Sequence, residues 1–216
     1  MSETAPTTWW WIRHAPVTSH GGRIYGQTDL PGDCGEEGYF TGLARILPEG
    51  ALWLTSNLRR TRDTAEAVQR HRNPGGELLE PVAAFAEQHF GEWQGLRYEE
   101  LSTRAGPEGH RFWLAPAETR PKGGESFIDL MERVHPAIRE ISLARRGEDI
   151  VAFAHGGTIR AALALALDLS PERALGFSID NCSVTRIQHW PEGGHGPEAW
   201  RVVTVNQDPR PHAAQR

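Results

Sequence analysis

The chain has 216 residues and carries 23 Lys and Arg against 28 Asp and Glu, which gives a formal net charge of −5 at pH 7. This length fits a single domain over residues 1–216, with a core over about 8–206 that buries a substantial apolar interior. The acidic balance argues against a nucleic-acid partner, and no block of like charges marks a membrane surface. The expected partner is therefore a small molecule.

Cysteine usage and the N-terminus indicate the compartment. Cys34 and Cys182 lie far apart without a CxxC spacing, which is typical of neither a zinc site nor a disulfide framework. The N-terminus has no basic region, and the apolar stretch that follows it is only about four residues long, too short for a secretory signal. Because the sequence also has no transmembrane run, we expect a cytoplasmic protein with no membrane partner.

The first predicted element is a short apolar strand that ends in an arginine and a histidine. Residues 9–12 (WWWI) are too few to span a membrane and suit a strand buried on both faces. Pro16 prevents further ladder pairing, so Arg13 and His14 lie at the carboxyl end of this strand. In open α/β sheets, ligands bind at that edge.

Apolar periodicity and turn residues divide the rest of the chain into alternating strands and helices. Strands are predicted over 51–55, 79–85 (at an edge), 149–154, 184–190 and 199–206, and helices over 36–47, 56–70, 97–104, 108–114, 126–145 and 158–167. Residues 19–35 should rim a crevice, residues 87–124 should cover it, and the tail from residue 208 should be frayed. The predicted fold is α/β, a three-layer sandwich with a mostly parallel central sheet flanked by helices.

The predicted strand over 149–154 ends, like the first, in a histidine. His155 precedes a glycine pair beginning with Gly156, whose N–H groups open a helix and form a ready anion site. Arg60 lies near the start of another helix, where a cation is unfavourable for the helix dipole unless an anion is bound. We therefore expect both histidines, with Arg13 and Arg60, to meet at one crevice suited to a phosphoryl group.

These residue types suggest phosphoryl chemistry. Arginine matches phosphate oxygens bidentately and stays charged, and a neutral imidazole whose pKa is lowered by such cations can act as a nucleophile. An acid must protonate the leaving alkoxide, and the candidates are Glu87 and Glu92. His20, His89 and His110 show no metal-ligand spacing, so neither a metal nor another cofactor is expected.

Five motifs stand in the order found in one large family. They are Arg13-His14 after an apolar strand, SNLRRTRDTA at 56–65, EQHFGEWQGL at 87–96, GGESF at 123–127 and AHGGTIRAAL at 154–163. Through these motifs, residues 9–206 resemble the histidine phosphatase superfamily, which implies its phosphoglycerate-mutase-like fold.

The resemblance assigns roles to the residues at the two strand ends. It implies that His14 is the phosphorylated nucleophile and that Arg13 and Arg60 hold the phosphoryl oxygens. His155 is expected to complete the catalytic pocket, together with the N–H group of Gly156.

The same resemblance selects the acid and the substrate rim. Glu87 matches the family's proton donor, because it precedes an aromatic-Gly pair by three residues, and this excludes Glu92. His20 aligns where many members have a phosphate-contacting Asn. With Tyr25 and Gly26, it is a candidate for the rim of the substrate site.

The implied activity is metal-independent hydrolysis of a small-molecule phosphate monoester, by a monomer or a homodimer. YGQTDLP at 25–31 resembles α-ribazole phosphatases in particular. The family usually reads Arg-His-Gly-Glu, whereas Ala15 and Pro16 stand here, adding a Cβ near the phosphate and removing an N–H. This departure spares the nucleophile. Two alternatives stay open: phosphoryl transfer of the phosphoglycerate mutase type, and a catalytically silent phospho-ligand binder.

Overall fold

Six strands form a mixed sheet in the computed structural model, which describes residues 5–72, 80–104, 113–191 and 197–211. In chain order they are β1 (Thr7–Arg13), β2 (Leu52–Thr55), β3 (Glu80–Pro81), β4 (Asp149–Ala154), β5 (Val184–Trp190) and β6 (Ala199–Gln207). Their order across the sheet is β3-β2-β4-β1-β5-β6. The first four are parallel to one another, whereas β5 and β6 are each antiparallel to the strand before them in that order. The predicted mostly parallel sheet is confirmed.

Helices cover both faces of this sheet. They are α1 (Glu37–Ile46), α2 (Arg59–Gln69), α3 (Tyr98–Arg104), α4 (Phe127–Ala144), α5 (Gly156–Leu167) and α6 (Pro171–Ala174). One apolar cluster joins α4, α5 and α6 to the sheet, and a second joins α1 and α2 to the opposite face. The flanked α/β arrangement is therefore the predicted one. Among the described helices, none is both long and apolar enough to cross a membrane.

The tryptophans of β1 pack on both faces of the sheet, because successive side chains of a strand point to opposite faces. Trp9 and Trp11 are buried under α4 and α5, with their rings stacked 4.9 Å apart, and the Trp9 indole N–H donates to Ser142 Oγ at 2.8 Å. Trp10 is half-buried on the other face, where the guanidinium of Arg186 lies 4.9 Å from its ring centroid. Packing on both faces therefore fixes the position at which β1 ends.

Some element boundaries differ from the predictions. The helix predicted from residue 56 begins at Arg59, because the Ser56 N–H pairs with the carbonyl of Phe153 and the Ser56 hydroxyl accepts the N–H of Leu58. The helix predicted from residue 158 begins two residues earlier, and the short α6 is not predicted at all. Most of the predicted helix over 108–114 lies outside the described residues.

The start of the C-terminal tail is packed, so the prediction that it is frayed is wrong for residues 208–210. Pro209 is buried, and its carbonyl lies so close to Gly42 of α1 that a Cβ there would clash with it. The guanidinium of Arg210 lies 4.2 Å from the ring centroid of Tyr39 and donates to Glu36 at 2.7 Å. Residues 212–216 lie outside the described part of the chain.

Candidate active site

The carboxyl ends of β1 and β4 bring the two predicted histidines together. The parallel register pairs Arg13 with Ala154, so the residues that follow these strand ends, His14 and His155, emerge side by side. Their ring centroids lie 5.1 Å apart, and both side chains are buried.

His14 is held in one orientation. Its Nδ1 lies 2.6 Å from the Ala15 carbonyl oxygen, so Nδ1 carries the proton and donates, and the lone pair is on Nε2. The side-chain amide of Asn181 donates to the His14 carbonyl at 2.8 Å and fixes the backbone at this point. Burial lowers the pKa of His14 well below 6.5, and the charges of Arg60 and Arg13 lower it further. His14 is therefore neutral at physiological pH.

His155 is also neutral, but both of its ring nitrogens face protein groups. Nε2 lies 2.8 Å from Ser56 Oγ, and Nδ1 accepts from Arg60 Nε at 3.3 Å. Burial, followed by the charge of Arg60, lowers the pKa of His155 well below 6.5. Its contacts make it a support for Arg60 within the same pocket.

Arg60 is fully buried, and hydrogen bonds to the loop after β1 hold its side chain in place. Its guanidinium donates to the carbonyls of Thr28 at 3.0 Å and Gly26 at 2.6 Å, besides His155. An acidic side chain also lies at the start of α2, where the Arg59 N–H donates to Asp29 at 2.6 Å. These contacts use three of the five N–H groups of Arg60, which leaves two for an anion.

Arg13 is the second guanidinium of this pocket. One of its terminal nitrogens donates to the carbonyl of Ile179 at 2.5 Å. Its Nε is buried and has no hydrogen-bond partner among the described residues. A buried donor of this kind is costly unless a ligand accepts from it.

Glu87 is the acid that reaches the site. It is 9% exposed, and its carboxylate accepts the N–H groups of Gln88 at 2.9 Å and Gly157 at 3.4 Å. The N–H of Gly157, at the start of α5, therefore faces this carboxylate. Glu92 is exposed, so the structure brings Glu87 and not Glu92 to the crevice.

Gly157 is required by the position of Glu87, because a Cβ there would clash with Glu87 Oε1. We expect Gly157→Ala to displace the carboxylate and to lower kcat/KM roughly 100-fold, with circular dichroism unchanged. Steady-state kinetics beside Gly38→Ala provides the check, since a Cβ at Gly38 meets nothing closer than the Arg210 side chain at 3.7 Å. Wild-type kinetics in Gly157→Ala would contradict the placement of Glu87.

A cavity of about 320 Å³ opens beside these groups. It is lined by Arg13, Ile24, Tyr25, Gly26, Glu87, Phe90, Tyr98, Trp113, Leu114, Gly156 and Arg160. Tyr25 and Gly26, the residues predicted for the rim of the substrate site, line this cavity. His20 is not among the lining residues and packs against the ring of Tyr25, at a centroid distance of 5.4 Å. Within the described ranges, no group of three or more His, Cys, Asp or Glu side chains is placed to ligate a metal.

Ala15, which departs from the family motif, points away from the cavity. Its side chain is buried in the apolar cluster beneath α1 with Phe40 and Leu43, and its N–H donates to Thr64 Oγ1 at 2.8 Å. The carbonyl of Pro16 accepts the N–H of Asp33. The added Cβ therefore packs in this apolar cluster, and Ala15 is not among the residues that line the cavity.

Sequence reasoning missed three polar residues that line or support the site. Ser56 reaches His155 because the helix starts late, and Arg133 of α4 donates to the Glu87 carbonyl at 3.0 Å. Arg160 lines the cavity itself. A signal for Arg160 was present, since it follows Gly156 by four residues and so lies on the same face of α5.

Buried neutral histidines make folding sensitive to acid. The pKa values of His14, His135, His155 and His189 are all lowered by burial, that of His189 to about 4. Below pH 6.5 the unfolded chain therefore binds more protons than the folded one, so stability falls as the pH falls towards the folded-state pKa values.

We expect the midpoint of urea unfolding to decrease from pH 7 to pH 5, and His189→Gln to reduce this dependence. Urea titrations at fixed ionic strength measure both effects. A midpoint that is constant or higher at pH 5 would contradict the neutral state of these side chains.

Comparison with known proteins shows the family of this chain. The family model for the histidine phosphatase superfamily (branch 1) matches residues 9–207. The chain belongs to the histidine phosphatase superfamily. This histidine phosphatase is 32% identical over 201 residues to a glucosyl-3-phosphoglycerate phosphatase of Mycolicibacterium vanbaalenii, covering 88% of this chain and 80% of that one. It is 31% identical over 166 residues to a 2,3-bisphosphoglycerate-dependent phosphoglycerate mutase of Gloeobacter violaceus, covering 76% and 75%.

Solved structures give the same result for the fold. The mycobacterial glucosyl-3-phosphoglycerate phosphatase in complex with VO3 superposes on this histidine phosphatase with a TM-score of 0.77 at 27% identity, covering 93% of this chain and 99% of that one. An Escherichia coli protein described as an α-ribazole-5'-P phosphatase has a TM-score of 0.73 at 20% identity over 94% and 98% of the chains, which supports the fold alone. Because the chain belongs to this family and has relatives named as phosphatases, it is a phosphoric monoester hydrolase.

Proposed function

We propose that this histidine phosphatase hydrolyses a small-molecule phosphate monoester through a phosphohistidine at His14. The observation that carries the proposal is the convergence of a neutral, oriented His14 with two guanidinium groups and one carboxyl group. The imidazole lone pair is on Nε2, Arg13 keeps a buried donor without a partner, and Glu87 lies at the start of α5. These are the nucleophile, the charge-stabilising group and the acid that phosphoryl transfer needs.

The first step transfers the phosphoryl group to the enzyme. Nε2 of His14 attacks phosphorus in line, the bond between phosphorus and the ester oxygen breaks, and Glu87 gives its proton to the leaving alkoxide. Arg13 and Arg60 bind the equatorial oxygens. His155 holds Arg60 in place, because its Nδ1 accepts a hydrogen bond from Nε of Arg60. The loss of one such donor typically lowers the rate roughly 10²- to 10³-fold.

The second step restores the enzyme. Glu87, now ionised, removes a proton from a water molecule as that water attacks phosphorus. The bond between phosphorus and Nε2 breaks, inorganic phosphate leaves, and Glu87 keeps the proton for the next cycle. The N–H groups at the start of α5, beginning with Gly156, add positive potential at the phosphate.

Phosphate release from p-nitrophenyl phosphate, with trapping of the intermediate, tests the proposal. Acid would hydrolyse a phosphohistidine in the quenched enzyme, whereas alkali would preserve it, and peptide mapping should place it on His14. Turnover with a mass increase of one phosphoryl group on His14 supports the proposal. Binding of phosphate esters without release or labelling would favour a silent binder.

The relative named as a phosphoglycerate mutase is the reason to test transfer as well as hydrolysis. Incubation with 3-phosphoglycerate, with or without 2,3-bisphosphoglycerate, separates the two outcomes by phosphorus NMR. A mutase gives 2-phosphoglycerate, whereas the proposed phosphatase gives glycerate and inorganic phosphate.

The names of the relatives and of one structural neighbour suggest two candidate substrates. Relatives named as glucosyl-3-phosphoglycerate phosphatases are 31% to 32% identical to this chain. The motif at 25–31 suggests α-ribazole 5'-phosphate, but the α-ribazole neighbour supports the fold alone. We therefore favour a phosphoglycerate ester over α-ribazole phosphate. Comparing kcat/KM for glucosyl-3-phosphoglycerate, 3-phosphoglycerate and α-ribazole 5'-phosphate tests this order.

A further inference from the structure

A third guanidinium lies in the cavity, and the proposed mechanism does not use it. Arg160 is mostly buried, and burial lowers its pKa to about 10, so it is still charged at neutral pH. Within the described ranges, no carboxylate forms an ion pair with Arg13, Arg60 or Arg160. Arg13, Arg60 and Arg160 together carry three positive charges, and with Glu87 protonated, as the first step requires, a dianionic phosphate ester neutralises only two of them.

Arg160 is fixed in a way that presents its fork to the cavity. Its Nε donates to the carbonyl of Phe177 at 2.9 Å, and its guanidinium lies 4.6 Å from the ring centroid of Trp113. The Trp113 indole N–H donates to Gln88 at 3.0 Å, so the ring is itself held in place. The terminal N–H groups of Arg160 then remain for a ligand, in the planar arrangement that suits a carboxylate or a phosphate.

The position of Arg160 is on the side of the leaving group. Arg160 lines the cavity together with Glu87 and Arg13, whereas His14 and Arg60 are not among the residues that line it. In an in-line displacement, the nucleophile and the leaving oxygen lie on opposite sides of phosphorus. The acid that protonates the leaving oxygen therefore marks the alcohol side, and Arg160 lies on that side.

Two further observations support this placement. A Cβ built on Gly156 would lie 3.0 Å from a terminal nitrogen of Arg160 and 3.9 Å from Nε of Arg13, so the two guanidinium groups flank one residue. The remaining walls near Arg160 are aromatic and aliphatic, with Phe90, Trp113 and Leu114 among the lining residues. The cavity thus has room for an alcohol portion beyond the phosphoryl group.

We propose that Arg160 is the specificity-determining residue of this enzyme and binds a second acidic group, a carboxylate or a phosphate, on the alcohol portion of the substrate. This inference rests on the proposed function, because the mechanism there defines the alcohol side. It predicts that the natural substrate is a phosphate monoester with at least one further negative charge a few bonds from the ester oxygen.

Matched ligand pairs test the proposal by calorimetry in a His14→Ala background, where no turnover occurs. 3-Phosphoglycerate has a carboxylate where glycerol 3-phosphate has a neutral hydroxymethyl group. Propane-1,3-diol bisphosphate and its monophosphate differ in a second phosphate. We expect the acidic member of at least one pair to bind roughly 10- to 100-fold more tightly, the range for a hydrogen bond between charged groups. The pair that discriminates identifies the acid.

Variants at Arg160 decide the outcome. Arg160→Met should bring the ratio of the two dissociation constants close to 1, and Arg160→Lys should restore part of it. Arg62→Met is the matched control, because Arg62 is exposed on α2, and it should leave the ratio unchanged. Equal affinities within both pairs, or a ratio that Arg160→Met does not alter, would overturn the inference. Because binding is measured without turnover, a chain that forms no phosphohistidine would refute the proposed function and still report on Arg160.

Discussion

Replacement of His14 by alanine is expected to lower kcat roughly 10⁴- to 10⁶-fold and to abolish the phosphoenzyme, because removing a covalent nucleophile removes both chemical steps. His14 is buried, the charges of Arg60 and Arg13 lower its pKa, and its Nδ1 is engaged by the carbonyl of Ala15, so Nε2 is the nitrogen that remains to attack. Binding should survive, since the guanidinium groups remain. Initial rates with p-nitrophenyl phosphate and intact mass after a rapid quench measure the two effects.

His71→Ala is the matched control for this experiment, since His71 is exposed just beyond the end of α2. It should keep the wild-type rate and the wild-type label. If His14→Ala retained the phosphoryl label, another residue would be the nucleophile and the role of His14 would be refuted.

Replacement of Glu87 by glutamine is expected to separate the two steps of the reaction. An alkyl phosphate needs a proton on its leaving oxygen, so the rate of phosphoenzyme formation from such esters should fall roughly 10²- to 10⁴-fold. p-Nitrophenolate leaves without a proton, so its release in the first turnover should be slowed far less. Hydrolysis of the phosphohistidine also needs the base, so Glu87→Gln should accumulate phosphoenzyme from p-nitrophenyl phosphate.

Rapid-quench kinetics with both classes of ester measure this difference. Glu92→Gln provides the comparison, because Glu92 is an exposed acid of the same motif and should leave both rates unchanged. An equal loss for alkyl and p-nitrophenyl esters in Glu87→Gln would mean that Glu87 acts through position or charge and not by proton transfer.

The parts of this site that could be predicted are those that follow from strand ends. Arg13 ends β1, and His14 and His155 come directly after β1 and β4. Parallel strands end at the same edge of a sheet, so the meeting of these residues follows from the sequence. Glu87 is selected over Glu92 by the resemblance of its motif to that of the family. In each case the information is local, because a few neighbouring residues fix where the side chain lies.

The parts that could not be predicted depend on contacts between distant segments. Ser56 contacts His155 across 99 positions, and Arg133 reaches the carbonyl of Glu87 from another helix. The start of α2 at Arg59 depends on pairing between Ser56 and the neighbouring strand, which no helix propensity contains. The sequence around Pro209 is typical of a loose tail, and only the structure shows that Pro209 packs against Gly42 of α1.

The inward methyl group of Ala15 bears on how such enzymes are recognised in genomes. Because this methyl group fills a hydrophobic niche and the backbone N–H beside it is satisfied by Thr64, nothing at this position demands glycine. A search pattern that insists on glycine after the histidine would pass over this chain, although its two histidines lie side by side with ring centroids 5.1 Å apart. Family surveys that score the spatial arrangement of the two histidines and the flanking arginines should therefore recover members that such a pattern discards.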